Sequence, residues 1–253
     1  MSYLRFTHPL NSVLLNAGLL HIALLIIFAA VAMFDHRQVL SINLWVKPIK
    51  FALSIAIYCF TWAWIITYLP SLTIQQNFAW FTAGALLFEM VAIASQAALG
   101  KQSHFNVSTP YSSVLFALMG VAIVMQTLFA LYVGILFFKV MPGALSPAML
   151  WAIRLGIITA CIFAFQGGYM GSKLSHTVGA TDGGTGLPVL NWSRTAGDLR
   201  VAHFVGLHAL QIIPLFVALL GISSAAPVIW FSIGYFLLTS ALFYQALLGR
   251  PLL

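Results

Sequence analysis

Between residues 171 and 211 the chain carries His176, Asp182, Asp198, Arg200, His203, His208 and Gln211, although it has only four Asp and Glu and eleven Lys and Arg in all. At 100° per residue Arg200, His203, Leu207 and Gln211 form one helical stripe, with His208 on its flank. Asp198, following Gly197, is placed to cap the start of that helix. Pro214 cannot donate to the carbonyl of Leu210, so an acceptor is expected beside Gln211. Histidines in such a stripe suit metal or haem ligation, or proton transfer near neutral pH. For ligation the candidates are His176, His203 and His208, with His21 and His208 as an alternative pair for a b-type haem because they lie at similar depth. His203 and His208 are five residues apart, about 140° around a regular helix. One ion can join them only across a kink or bulge, and no Cys-x-x-Cys-His haem motif is present.

A second set of groups lies earlier in the chain. Glu89 is the only acid inside an apolar segment, about ten residues or roughly 15 Å from its polar end. A carboxylate at that depth is protonated, paired or turned toward a wet cavity. Gln96 lies seven residues on, on the same helix face, and His104 follows in the next loop. Arg154, the obvious partner for Glu89, enters its helix from the opposite side. Lys47 and Lys50 flank Pro48 at the start of another apolar segment. They are read as interfacial anchors beside Trp45, or as a cationic clamp for an anionic group. Gln126 and Gln166 read as interhelical hydrogen-bonding residues.

The elements that position these groups are membrane spans. The chain is 62% hydrophobic and 6% charged, against about 25% charged in a soluble domain. Seven stretches near 12–34, 50–70, 78–99, 113–138, 148–170, 199–221 and 226–248 are long and apolar enough to cross a bilayer. Strand-like alternation is absent, so the expectation is an all-α bundle of seven transmembrane helices in one domain, 1–253, with a long Gly-rich loop between helices five and six. That loop also holds Leu187, Val189, Leu190 and Trp192, which favours a lid or re-entrant element over disorder. The first stretch has an Ala-Val-Ala at 30–32 and Arg5 ahead of it, as in a signal peptide. It exceeds the usual apolar core of such peptides, so a retained helix is expected. Cys59 and Cys161 fall inside spans, and no disulfide is expected.

Arg37, Lys47, Lys50, Lys101, Lys173, Arg194, Arg200 and Arg250 fall on one side of this scheme, with Arg5 and Lys139 on the other. The positive-inside bias places the N-terminus outside and the C-terminus in the cytoplasm. The basic balance reads as topology and contact with the lipid bilayer, and no basic stripe interleaved with aromatics points to nucleic acid. Retinal proteins are excluded, because residues 226–248 hold no lysine. The seven-helix zinc hydrolases of lipid amides do not match in the spacing of the late histidines.

Two functional classes follow. One is a metal- or haem-dependent membrane enzyme or redox protein acting on a small or lipid-soluble substrate. In it His176, His203 and His208 are ligands, Glu89 is a proton carrier and Arg200 an anion partner. The other is a proton-coupled transporter, channel or ligand sensor using the same cytoplasm-facing cavity, lined also by Lys47, Lys50, Gln96, His104, Asp198 and Gln211.

Overall fold

Hydrophobic stretches of about twenty residues satisfy their own backbone as helices, and the computed structural model is built almost entirely of them. It describes residues 10–140 and 145–253; Arg5 lies outside the described residues. In chain order the elements are α1 (Ser12–Phe34), a hairpin of β1 (Gln38–Val39) and β2 (Ile42–Asn43), α2 (Val46–Ile65), α3 (Leu72–Ala98), α4 (Pro110–Leu136), α5 (Pro147–Lys173), a ladder of β3 (Thr177–Val178) and β4 (Gly197–Asp198), α6 (Leu199–Leu207), α7 (Ala209–Leu220) and α8 (Ala225–Leu247). Among the described residues six helices are long and apolar enough to cross a membrane, or up to seven spans if the bent pair α6–α7 is one.

Helix starts follow local chemistry. Asn11, Ser71, Thr109 and Ser146 each accept a first-turn N–H through the side chain. Pro110 and Pro147 occupy the first turn, where no N–H is needed. Helix α2 begins at Val46 and α3 at Leu72, each several residues before the expected start, so Lys47 and Lys50 are helical residues. Near the start of α5, Arg154 donates to the carbonyls of Phe137 and Val140 at 3.0 and 3.1 Å and ties off the end of α4.

Helix α5 is the most buried span and packs on α4, α6, α7 and α8. Lipid supplies no hydrophobic drive between helices, so close approach rests on small residues. A Cβ on Gly134 would lie 2.7 Å from Ile157, one on Gly156 3.0 Å from the carbonyl of Ala209, and one on Gly167 2.9 Å from the His203 ring. Gly206 seats directly on Phe163, and Gly197 on the backbone of Ala246. Polar glue is sparse: Thr82 donates to Gln126 (3.1 Å), which donates to Tyr58 (3.2 Å), joining α3, α4 and α2 in the role expected of Gln126.

The sixth apolar stretch is broken, where one helix was expected. Helices α6 and α7 meet at a 47° bend on His208, six residues ahead of Pro214. The Tyr235 hydroxyl on α8 donates at 2.6 Å to the Val205 carbonyl, the acceptor Ala209 would use in an unbroken helix. The pair runs antiparallel along α5, from Gln166 donating to Leu199 (3.3 Å) to Ala148 donating to Ser223 (3.4 Å).

The close approaches make a direct stability test. Gly197→Ala sets a methyl into the Ala246 backbone, and should destabilise the detergent-solubilised protein by about 2 kcal/mol or more. Gly234→Ala on α8 meets nothing within 4 Å and should leave the thermal midpoint unchanged or raise it. Equal losses in both variants would contradict this packing.

Candidate functional site

Four loops and helix ends meet at one end of the bundle and bring its ionisable groups together. The β1–β2 hairpin is clamped by Asp35, which accepts from Arg37 (2.7 Å) and from the Trp45 indole (2.9 Å). Arg37 holds that carboxyl well below the usual range. Arg37 also donates to the last carbonyl of α3, Ala98, at 3.1 Å, which docks the hairpin on α3. Residues 174–198, expected as a lid or re-entrant element, fold into the β3–β4 ladder and a Gly186–Ser193 bridge. This segment is held by Ser41 donating to Gly183 (3.3 Å), Lys50 to Leu190 (3.3 Å) and Arg200 to Asn191. Between hairpin and loop lies a cleft of about 600 Å³ lined by Asn43, Val46 and Gly183–Gly186.

Beneath this roof Glu89 is 3% exposed and Gln96 1%. Glu89 Oε1 lies 3.3 Å from His104 Nε2, while His104 Nδ1 lies 3.1 Å from the Ser103 hydroxyl. The second Glu89 oxygen and both polar atoms of Gln96 have no hydrogen-bond partner among the described residues. Lys47, from the first turn of α2, is within electrostatic range of Glu89, Lys50 and Arg200, and its ammonium sits 5.6 Å over the Phe51 ring. Phe51, Phe105 and Phe116 surround His104 at ring separations of 5.7, 6.2 and 6.1 Å. Burial, aided by the Lys47 charge, holds the His104 ring below its usual pKa against the opposing pull of Glu89.

Asp198 caps α6 as expected, with its side chain accepting from the Arg200 N–H, and also accepts from Ser193 N–H (2.8 Å) and from the Arg200 guanidinium (2.6 and 2.9 Å). Arg200 is therefore satisfied within the chain. In the loop, Asp182 accepts from Ser175 (2.8 Å) and Thr177 N–H (3.0 Å) and lies 3.3 Å from His176. Burial first, then the Arg200 charge, lowers the pKa of His176 to about 4.

The stripe expected along residues 200–211 is divided by the bend. His203 stays at the site, its Nδ1 2.7 Å from the Phe163 carbonyl, which requires a proton on that nitrogen. His208 and Gln211 turn to a separate link with α2: His208 Nδ1 lies 3.3 Å from Gln211 Oε1, and Gln211 donates to Thr61 at 3.2 Å. The metal expectation finds no support in this arrangement. His176, His203 and His208 each have a different partner, and among the described residues no group of three or more His, Cys, Asp or Glu is arranged to hold a metal ion. The haem pair finds no support either: His21 is bonded to the Ala17 carbonyl at 2.8 Å, on a helix that packs mainly on α2 and α3.

The Glu89–His104 pair, the roles of Ser103, Thr61 and Tyr235, and the His176–Asp182 turn were not assigned from sequence. Only the last carries a local signal, a carboxylate six residues beyond a histidine in a Gly-rich turn. No family model matches the chain, and neither a curated protein nor a solved structure matches it.

The His176 environment sets a pH response. Its folded pKa lies near 4 against an ordinary 6.5, so the stabilisation of the neutral ring is full above 6.5 and is lost as pH falls toward 4. Amide protection across residues 175–198, corrected for intrinsic exchange, should fall over that window, and His176→Gln should flatten the response. An unchanged response in the variant would remove His176 as its source.

Proposed function

We propose that the chain crosses the bilayer seven times, with α6–α7 as one broken span, and binds a small or lipid-soluble molecule together with a proton. Its class on this reading is that of proton-coupled transporters and ligand-sensing membrane proteins. The observation that carries the reading is the buried, half-satisfied Glu89, paired through one oxygen with His104. Buried polar atoms are nearly always hydrogen-bonded, and an intramembrane acid facing a histidine and a lysine is a proton-handling arrangement. Gln96, unpartnered on the same face of α3, supplies a donor and an acceptor for the ligand. Lys47, Arg200 and Lys50 make the surroundings cationic, and the 174–198 loop serves as the lid. His176, His203 and His208 face separate partners, which gives a metal- or haem-dependent enzyme no support, whereas proton exchange at Glu89 and His104 needs neither group.

The course of α6–α7 along the whole of α5 supports counting the pair as one span. An odd number of spans puts the clustered Lys and Arg on one side, which supports an outside N-terminus and a cytoplasmic site. Cys59 and Cys161 are buried, so Thr181→Cys in the exposed loop gives a clean probe. A membrane-impermeant maleimide should label it only from the cytoplasmic face, and labelling from outside reverses the orientation.

Proton exchange at Glu89 has its own readout. Infrared difference spectra of the protein in lipid should show a carboxyl C=O band that grows on acidification, with Glu89→Gln removing it. A wild-type protein whose spectrum has no Glu89-dependent band at any pH would sink the reading.

A further inference from the structure

Resting on that reading, we infer that the ligand is a singly charged carboxylate with an apolar body, which binds at Lys47 only when Glu89 has taken up a proton. Lys47 stands in the first turn of α2, where the helix N-terminus adds positive potential and Trp45 provides no side-chain cap. Of the cations nearby, Arg200 is engaged by Asp198 and Asn191, and Lys50 by the Leu190 carbonyl. The opposite charge that reaches Lys47 is Glu89. An arriving carboxylate therefore competes with Glu89 for the same ammonium, and two carboxylates at one site do not both stay ionised.

Protonation resolves the conflict. A neutral Glu89 turns its unpartnered oxygen into a hydroxyl donor for the ligand, and the Gln96 amide adds another. The Phe51, Phe105 and Phe116 rings form an apolar wall beside the charge. The bound state is then Lys47 cation, ligand anion and neutral Glu89, so one proton enters with each anion.

Other ionisable groups around Glu89 have to be separated from it. His104 touches it, His176 and Asp182 lie in the loop above, and Asp198, Arg200 and His203 come from α6. Helix α1 brings His21 against Leu86, one turn away, and α4 brings only Tyr111 and Tyr132, both exposed. Protonation of His104 or His203 would also favour an anion, and the test must tell these from Glu89.

The test is equilibrium binding of radiolabelled benzoate to the intact protein in lipid nanodiscs, at acidic pH values where benzoate stays ionised and Lys47 stays charged. One-proton linkage weakens binding about tenfold per pH unit wherever uptake of a proton accompanies the anion. Within that range Glu89→Gln, which mimics the neutral acid, should bind at the upper end as wild type binds at the lower end, with no slope. Lys47→Met should lose binding by a hundredfold or more throughout, with both variants checked for unchanged thermal midpoints. Displacement of benzoate by oleate added to the nanodisc lipid identifies a membrane-derived acid, and displacement by soluble octanoate alone identifies an aqueous one. Absent or pH-independent benzoate binding in wild type, or a slope that survives Glu89→Gln, overturns the inference. If the Glu89 infrared band still titrates in that case, the proposed function stands without this ligand; loss of both removes both.

Discussion

Backbone-distance packing of a bent helix pair on α5 is the constraint from which the rest of the structure follows. In hydrocarbon every backbone polar group must find a protein partner, so a helix can break only where another element takes up the freed groups. Tyr235 does this at Val205, and Gly156 and Gly206 let α7 and α6 approach α5 closely enough to stay packed through the bend. Gly167 has a different role: its missing side chain leaves room for the His203 ring to reach the Phe163 carbonyl. Without that approach the start of α6, and with it Asp198 and Arg200, would not sit beside α2 and α3.

Charge is distributed by the same rule. The chain's four carboxylates each face a basic partner: Asp35 with Arg37, Glu89 with His104, Asp182 with His176, and Asp198 with Arg200. Three of these pairs lie outside the spans or at a helix start, within reach of solvent or of backbone donors. Glu89 alone lies about nine residues inside α3, roughly 14 Å at 1.5 Å per residue. It is also the one whose second oxygen no donor among the described residues satisfies. The exposed Asp35–Arg37 pair adds little stability through its charges; its consequence is geometric, because it fixes the hairpin that roofs the site.

Span positions were readable because twenty apolar residues in a row have few alternatives, and the ends of α1 and α8 fall within a residue of expectation. The break at His208 was not readable. Pro214 drew attention to Leu210, but the bend forms where the Tyr235 hydroxyl from another helix reaches in, and no local pattern encodes that contact. The bend in turn undid the stripe: His203 and Gln211 share a face of a straight helix, yet one serves the site and the other an α2 crosslink. Glu89, His104 and Lys47 were each singled out by residue type and depth. Their convergence depends on the α3–α4 loop folding back over the bundle, a tertiary event with no spacing signature.

Neutral and ionisable polar groups are also sorted by depth, and the sorting bears on function. Thr82, Gln126 and Tyr58, like Gln211 and Thr61, satisfy one another in neutral crosslinks between helices. Such bonds contribute about 1 kcal/mol or less each and need no exchange with water. Glu89, His104 and Lys47 differ in both respects: they can change charge, and they lie under a loop bound through a few backbone carbonyls. A buried carboxylate with one oxygen unsatisfied is a poor device for stability, since an apolar residue in its place would remove the desolvation cost. Its position beneath a polar loop, among side chains that can donate or accept a proton, is what the proposed proton exchange would account for.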